Sequence, residues 1–418
     1  MKKKLARTLK SFKTSYYQWR YWNSIYRYMV KNIRKQGLTK DKNLIPYINK
    51  PGIVLSFDDS YRVNDWVKYG KDLFGYYDVK VTFNINAIHP FDRNREHTQK
   101  EIDMLLELQA NGHEIAHHGF NHRKASEYSN ANGINKWVSD EIESLLNWMV
   151  DKSHSKTKER FKRPVSFAFP NFSYIDENIL ALIPKFFKIV RGHLIKNNLA
   201  SFNNTGIVPS ICIDGFYSCN FYYIKKIMKL TKKTNMNLIL TCHSILPENA
   251  DWNEYGWGEE SVKSGNWRTS PETLKTIIDE ARKNEFEFYT TAEIAGVATF
   301  IDPNFEKTVR EIISNPTEKW VSISNLIPIK ELDLSNKSIR NLDGIQYFIN
   351  LEKLNLSNNE ITDFRLLQKL PKLKKINVEN NPLKNNQSEN VNSLLHILLI
   401  IGINAIKFTE LSYYLGVL

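Results

Sequence analysis

The sequence predicts an α/β domain of parallel strands and crossover helices, followed by a short repeat solenoid. Two observations predict it. Between residues 52 and 300, short apolar runs alternate with amphipathic stretches. That is the pattern of strands joined by helices, in a barrel or an open sheet. From residue 329 onward one apolar pattern recurs with a step of 22 residues, the signature of stacked units that cannot bury their apolar faces alone.

The bulk composition limits the choices. A chain of 418 residues is long for one compact domain, and 42% hydrophobic content supplies real cores. A net charge of +13 favours contact with anionic surfaces. No zinc-finger, basic-zipper or RNA-recognition signature is present, so nucleic acid is not the expected partner. Cys212, Cys219 and Cys242 are too few and too far apart for a disulfide scaffold.

Taken in order, the first segment is residues 1–49. It opens Met1-Lys2-Lys3-Lys4, as a signal peptide would, but no apolar stretch follows. Tyr16, Tyr17, Trp19, Tyr21 and Trp22 instead interleave with basic residues through Arg34. On a helix, this segment either lies on an anionic membrane surface or packs its aromatics on the next domain. The second segment is residues 50–300. Strands are expected at 52–57, 79–85, 114–117, 165–169, 186–191, 237–241 and 285–289, with helices at 98–108, 138–149 and 271–283. Ser270 is the expected N-cap of the last helix, with Pro271 at its first position.

The repeats occupy residues 329–386. Leu332, Leu334 and Ile339 in the first unit correspond to Leu354, Leu356 and Ile361 in the second, and to Ile376, Val378 and Leu383 in the third. Asn359 and Asn381 close their turns, where the first unit has Lys337. This pattern resembles the leucine-rich repeat. Residues 301–328 resemble the helical cap that opens bacterial internalin-type repeat domains. In the tail, residues 387–418, the run from Leu394 to Ile401 is short of the roughly 20 apolar residues a membrane span requires, and a closing helix is expected there.

The candidate chemistry sits at strand ends. Asp58 and Asp59 follow the first apolar run, and two adjacent buried acids require a cationic partner. His118 and His122 follow the third strand in a His-x-x-x-His spacing. One acid and two imidazoles make a metal site with open positions, and the second acid is placed to take a proton from a water. His243 ends another apolar run, where an imidazole titrates near neutral pH. Cys242 alternates to the opposite face and is expected in the core. Trp252, Tyr255, Trp257 and Trp267 form an aromatic loop able to pack on sugar C–H faces.

Ser56-Phe57-Asp58-Asp59-Ser60, Gly112-His113-Glu114-Ile115 with His118 and His122, and Leu238-Ile239-Leu240-Thr241-Cys242-His243 together resemble the polysaccharide deacetylase family, also called NodB-homology or carbohydrate esterase family 4. The resemblance implies a distorted (β/α) barrel with fewer than eight units. It implies that Asp59, His118 and His122 bind a divalent metal, with zinc the expected ion, and that Asp58 is the base. It implies that His243 is the general acid and that the Asn171 N–H helps hold the oxyanion, while His113 and His117 are not ligands. Ala168 stands where the family commonly has Arg, and Arg191 is the candidate to reach the same site from the next strand. Trp252, Trp257 and Trp267 are the candidate substrate contacts. The implied function is hydrolysis of N-acetyl groups on an N-acetylated sugar or polysaccharide, with release of acetate. The alternative is a glycan-binding or protein-interaction module that keeps the fold. The implied partners are a glycan, a protein at the repeats and an anionic surface at the N-terminus. The expected location is cytoplasmic or membrane-peripheral, with action at the cell envelope implied by the family.

Overall fold

The computed structural model describes residues 2–36, 50–89, 94–193, 199–203, 205–215, 217–250, 267–314 and 318–382. The chain divides between residues 295 and 296 into two compact units.

The first unit is a closed barrel of seven parallel strands. They are β1 (Gly52–Asp58), β2 (Thr82–Ile85), β3 (Glu114–His117), β4 (Ser166–Ala168), β5 (Ile189–His193), β6 (Ile207–Cys212) and β7 (Asn237–Cys242). Each pairs with the next, and β7 returns to β1 along Gly52 to Phe57. A two-residue strand, β8 (Glu287–Phe288), pairs only with the start of β1. Every residue of β1 is buried, because a parallel strand covered on both faces reads as a continuous apolar run. Phe57 packs on Phe83 and Phe74 at 5.5 and 5.7 Å between ring centroids.

Strand β6 departs from the sequence expectation. No strand is expected there from the sequence, and Pro209, which lacks a ladder donor, and Ser210 interrupt its apolar run. Pro209 nonetheless stands beside Gly192 of β5. Ser210 is polar because its hydroxyl bonds the Gly192 carbonyl and accepts from Arg191. The expected strand at 285–289 shrinks to β8, outside the ring.

The expected helices form with the caps their sequences specify. Thr98 and Glu101 make a reciprocal capping box at the start of Gln99–Ala110. The Ser270 hydroxyl accepts from Thr273 N at 3.1 Å at the start of Pro271–Lys283. The helix expected at 138–149 is interrupted by a π-turn, Val138–Glu143. The N-terminal helix, Lys2–Gln36, buries Trp22, Ile25 and Met29 in the same apolar cluster as the barrel strands. Trp22 Nε1 donates to the Tyr217 carbonyl at 2.9 Å, and the Tyr21 ring stacks on Tyr217 at 4.1 Å. Of the two readings of this segment, packing holds for one face of the helix. No helix among the described residues is long and apolar enough to cross a membrane.

The second unit carries the repeats. Strands β9 (Glu331–Asp333), β10 (Lys353–Asn355) and β11 (Lys375–Asn377) pair in parallel at the 22-residue step, as in Leu332 to Leu354 to Ile376. Asn336, Asn358 and Asn380 each take a left-handed backbone, which asparagine tolerates better than most residues. Asn359 is buried, and its side chain joins neighbouring units. Its Oδ1 accepts from Lys337 N and Ile339 N, and its Nδ2 donates to the Leu334 and Leu356 carbonyls. The second unit's asparagine thus serves the turn where the first unit has lysine. Upstream, Asp302 caps the helix Pro303–Ile312 and accepts from Arg340 N at 2.7 Å. Leu383 and the tail 387–418 lie outside the described residues.

Two stability predictions follow from this packing. Asn359→Ala strands buried backbone groups, and should destabilise the repeats by on the order of 2 kcal/mol in denaturant unfolding. His113 is buried, and burial followed by the nearby Lys80 pulls its imidazole down to about 3. Its Nδ1 accepts from Val81 N, which requires the neutral ring. The unfolded chain therefore binds the extra proton, and the barrel should lose stability as pH falls below about 6.5 toward 3. His113→Asn, whose amide oxygen can keep the Val81 bond, should make that slope shallower in thermal melts, with buried His117, also pulled down to about 3, supplying the remainder.

Candidate metal centre

The C-terminal ends of the barrel strands converge at one mouth. Asp58 closes β1, and Asp59 begins the following turn in a left-handed conformation with φ 70°. His118 follows β3. His122 also has a left-handed backbone, φ 57°. Such strain costs on the order of 1–3 kcal/mol per residue and collects at functional sites. Here it aims both side chains at one point. Asp59 Oδ1 lies 3.0 Å from His122 Nε2 and 3.5 Å from His118 Nε2. One ligand atom from each of the three residues falls within 4.8 Å of the other two.

The hydrogen bonding shows what this point suits. His118 Nδ1 lies 2.9 Å from the Ala168 carbonyl, which can only accept. Nδ1 therefore carries a proton, and in the neutral ring Nε2 turns a lone pair toward Asp59. Asp59 Oδ1 is buried and accepts no well-formed hydrogen bond. Two acceptors facing each other in a buried site are unfavourable without a cation between them. The donor set, two imidazoles and one carboxylate, fits zinc and related divalent ions. Burial alone would raise the Asp59 carboxyl; without an ion, the charge that His122, His118 and His243 carry when protonated outweighs it and holds the group well below the carboxylate range. Tyr61 O–H donates to the other oxygen, Oδ2, at 2.5 Å.

Asp58 has a different set of partners. Arg191 Nη2 donates to both of its oxygens, at 2.5 and 2.6 Å, and Asn84 Nδ2 donates to Oδ1 at 2.9 Å. The guanidinium is held in turn by Thr241 and Ser210, which accept from Nη1 at 2.9 and 3.2 Å. Arg191 stands beside Ala168 in strand register. Arg191 thus reaches Asp58 from the strand next to Ala168.

His243 follows β7 on the other side of the mouth. Its Nδ1 donates to Asp214 Oδ2 at 2.5 Å, which leaves Nε2 3.8 Å from Asp59 Oδ2. Burial pulls the imidazole down, but Asp214 outweighs it and the group sits above its ordinary value. Cys212, Asp214 and His243 also lie within ligand distance of one another. Their protons are accounted for without an ion, since Asp214 also accepts from Cys212 Sγ, His243 N and Thr269 Oγ1.

Residues 48–182 match the family model described as polysaccharide deacetylase, and residues 349–395 match the model for two copies of leucine-rich repeats. The chain carries a polysaccharide deacetylase domain and leucine-rich repeats. Among solved structures, the chain is similar to internalin C2 from Listeria monocytogenes, with 30% identity over 23% of this chain and 42% of that one, at a TM-score of 0.20. The chain thus spans less than half of that internalin's length. It is also similar to a carbohydrate esterase family 4 pseudoenzyme from Bacillus anthracis, with 13% identity over 59% of this chain and 66% of that one, TM-score 0.34. A third is the catalytic domain of a peptidoglycan N-acetylglucosamine deacetylase from Eubacterium rectale, with 14% identity over 61% of this chain and 93% of that one, TM-score 0.35. No curated protein matches the chain.

Within the deacetylase domain, the remaining expected residues are placed as follows. Asn171 lies in the turn Pro170–Phe172 after β4, with φ 53°. The Trp267 ring meets the His243 ring edge-on at 5.3 Å. Trp252, Tyr255 and Trp257 lie outside the described residues. His117 points away from the mouth, its Nε2 on the Ile142 carbonyl and its ring 5.0 Å from Phe187. Cys242 is fully buried in the apolar cluster.

The sequence reading missed three residues. Asp214 ends the apolar run Ile211-Cys212-Ile213, the same signal that marked Asp58, but the overlooked β6 hid it. Asn84 lies in β2 beside Asp58 in register, and a lone asparagine gives no pattern. Glu141 lies on the π-turn, where insertion turns often mark functional sites. Its carboxylate accepts from Asn121 N at 3.0 Å and so braces the loop that carries His122. Gly119 permits this approach, for it has φ +82° and a Cβ there would meet Glu141 Oε2 at 2.8 Å.

Removing one half of the buried Asp58–Arg191 pair exposes its cost. Arg191→Leu should destabilise the deacetylase domain by roughly 3–5 kcal/mol in denaturant unfolding, because Asp58 is left buried and unpaired.

Proposed function

We propose that the deacetylase domain hydrolyses the N-acetyl amide of an N-acetylated sugar in a polysaccharide, releasing acetate and leaving a free amine. The observation that carries this reading is the separation of the two adjacent acids. Asp59 faces the two histidines, while Asp58, its neighbour at the same strand end, is held by Arg191 and Asn84.

Asp59, His118 and His122 are the residues that would hold a divalent ion. When bound, such an ion polarises an acyl carbonyl and makes a nearby water more acidic. Asp58 accepts the proton of the attacking water, and Arg191 and Asn84 fix the orientation of its carboxylate. The Asn171 N–H, on its left-handed turn, donates to the oxygen that gains charge as the carbonyl is attacked. His243 hands the proton on its Nε2 to the departing amine nitrogen as the C–N bond breaks. Asp214 keeps the His243 Nδ1 proton in place, so the ring gives up the other one. Trp267, beside His243, offers an aromatic face to the sugar ring. Arg191 supplies the guanidinium that the Ala168 position lacks, which supports an active enzyme over a binding module that merely keeps the fold.

The test is acetate release from N-acetylated chito-oligosaccharides and peptidoglycan fragments, with metal content measured on the same samples. Asp58→Asn should retain the metal and lose at least about 100-fold in rate. His122→Ala should lose both metal and activity. Full activity in Asp58→Asn would remove the base assignment. Absence of bound metal in the active wild-type protein would remove the centre.

A further inference from the structure

One face of the N-terminal helix is not accounted for by packing or by the chemistry at the barrel mouth. Residues 2–36 hold eleven Lys and Arg and no acid, against a net charge of +13 for all 418 residues. Nearly all of the chain's net charge is therefore on one helix. At 1.5 Å per residue the helix is about 50 Å long. Trp22, Ile25, Met29 and Ile33 recur at helical spacing and are buried. Lys13, Arg20, Arg27, Lys31 and Lys35 lie on the opposite side and are exposed. Aromatic rings flank that basic stripe. Tyr17, Tyr16, Trp19 and Tyr28 are 65, 53, 47 and 43% exposed. Rings this exposed lose apolar contact in water, and patches of them mark interaction surfaces.

A second helix extends the surface. Phe221–Thr234 carries Lys225, Lys226, Lys229, Lys232 and Lys233 and also has no acid. It packs beside the first helix, with Tyr26 and Tyr223 rings 6.1 Å apart. Lys226 Nζ sits over the Tyr26 ring at 5.2 Å and over the exposed Tyr222 ring at 4.1 Å, so the two basic faces are continuous.

We propose that the outer faces of these two helices dock the protein on an anionic lipid surface. Amphipathic helices with lysine and arginine on the polar side, flanked by tyrosine and tryptophan, lie in the headgroup plane, where the rings take the boundary and the cations meet the lipid charge. A long convex helix face also suits a plane. Single-stranded nucleic acid is held instead in a groove, and helical faces of this length offer none.

The test is sedimentation of the full chain with phosphatidylcholine vesicles that contain or lack phosphatidylglycerol. Binding should be at least about tenfold tighter with phosphatidylglycerol and should weaken as salt is raised. Two variants, Y16S/Y17S/W19S and K13Q/R20Q/K31Q/K35Q, alter only exposed side chains and should each weaken binding about tenfold, with circular dichroism unchanged. Three results would overturn the proposal: equal binding to both vesicle types, parental binding by both variants, or binding to single-stranded DNA as tight as to the anionic vesicles.

Discussion

The buried pair of Asp58 and Arg191 is the constraint on which the barrel mouth depends. Both residues are almost fully excluded from water, at 3 and 1% exposure. Charges in such a place persist only when they are paired and hydrogen-bonded. The two terminal nitrogens of Arg191 meet that condition, Nη2 on Asp58 and Nη1 on Ser210 and Thr241. Those partners come from β1, β6 and β7, around an arginine on β5. The requirement to satisfy one guanidinium thus explains polar residues on strands that are otherwise apolar, including the one that was not legible as a strand.

The two neighbouring acids show how backbone geometry divides labour between identical side chains. Asp58 is the last residue of a strand and points with the strand's alternation toward Arg191. Asp59 leaves the ladder with φ 70° and turns toward His118 and His122. His118 is set by the Ala168 carbonyl and the His122 loop by Glu141. His243 is set in the same way by Asp214. In each case the side chain at the mouth is oriented by a buried neighbour, so the barrel and the loops braced on it together set its position.

The two units reach order by different means. The barrel combines long-range strand pairing with specific buried polar contacts. The repeats use local geometry at a fixed step, with the column of left-handed asparagines and the buried Asn359 repeating one solution to one turn. The N-terminal helix joins the barrel core through a narrow apolar stripe and leaves its charge outside, which separates its structural face from its chemical one.

The sequence by itself determined the strand-and-helix alternation, the repeat step and the helix caps, and it singled out Asp58, Asp59, His118, His122 and His243 as the candidates at strand ends. Each of these is written in local spacing: an apolar run that ends in a polar residue, a four-residue histidine interval, a serine or threonine before a helix. Only the tertiary structure decided that Ile207–Cys212 is a strand, because its polarity answers to Arg191 across the barrel and to nothing nearby in the chain. Asp214, Asn84 and Glu141 were likewise hidden, since each acts on a residue at least 20 positions away. Arg191 was legible as a candidate, but its service to Asp58 rests on strand register, and register between distant segments is fixed when the barrel closes.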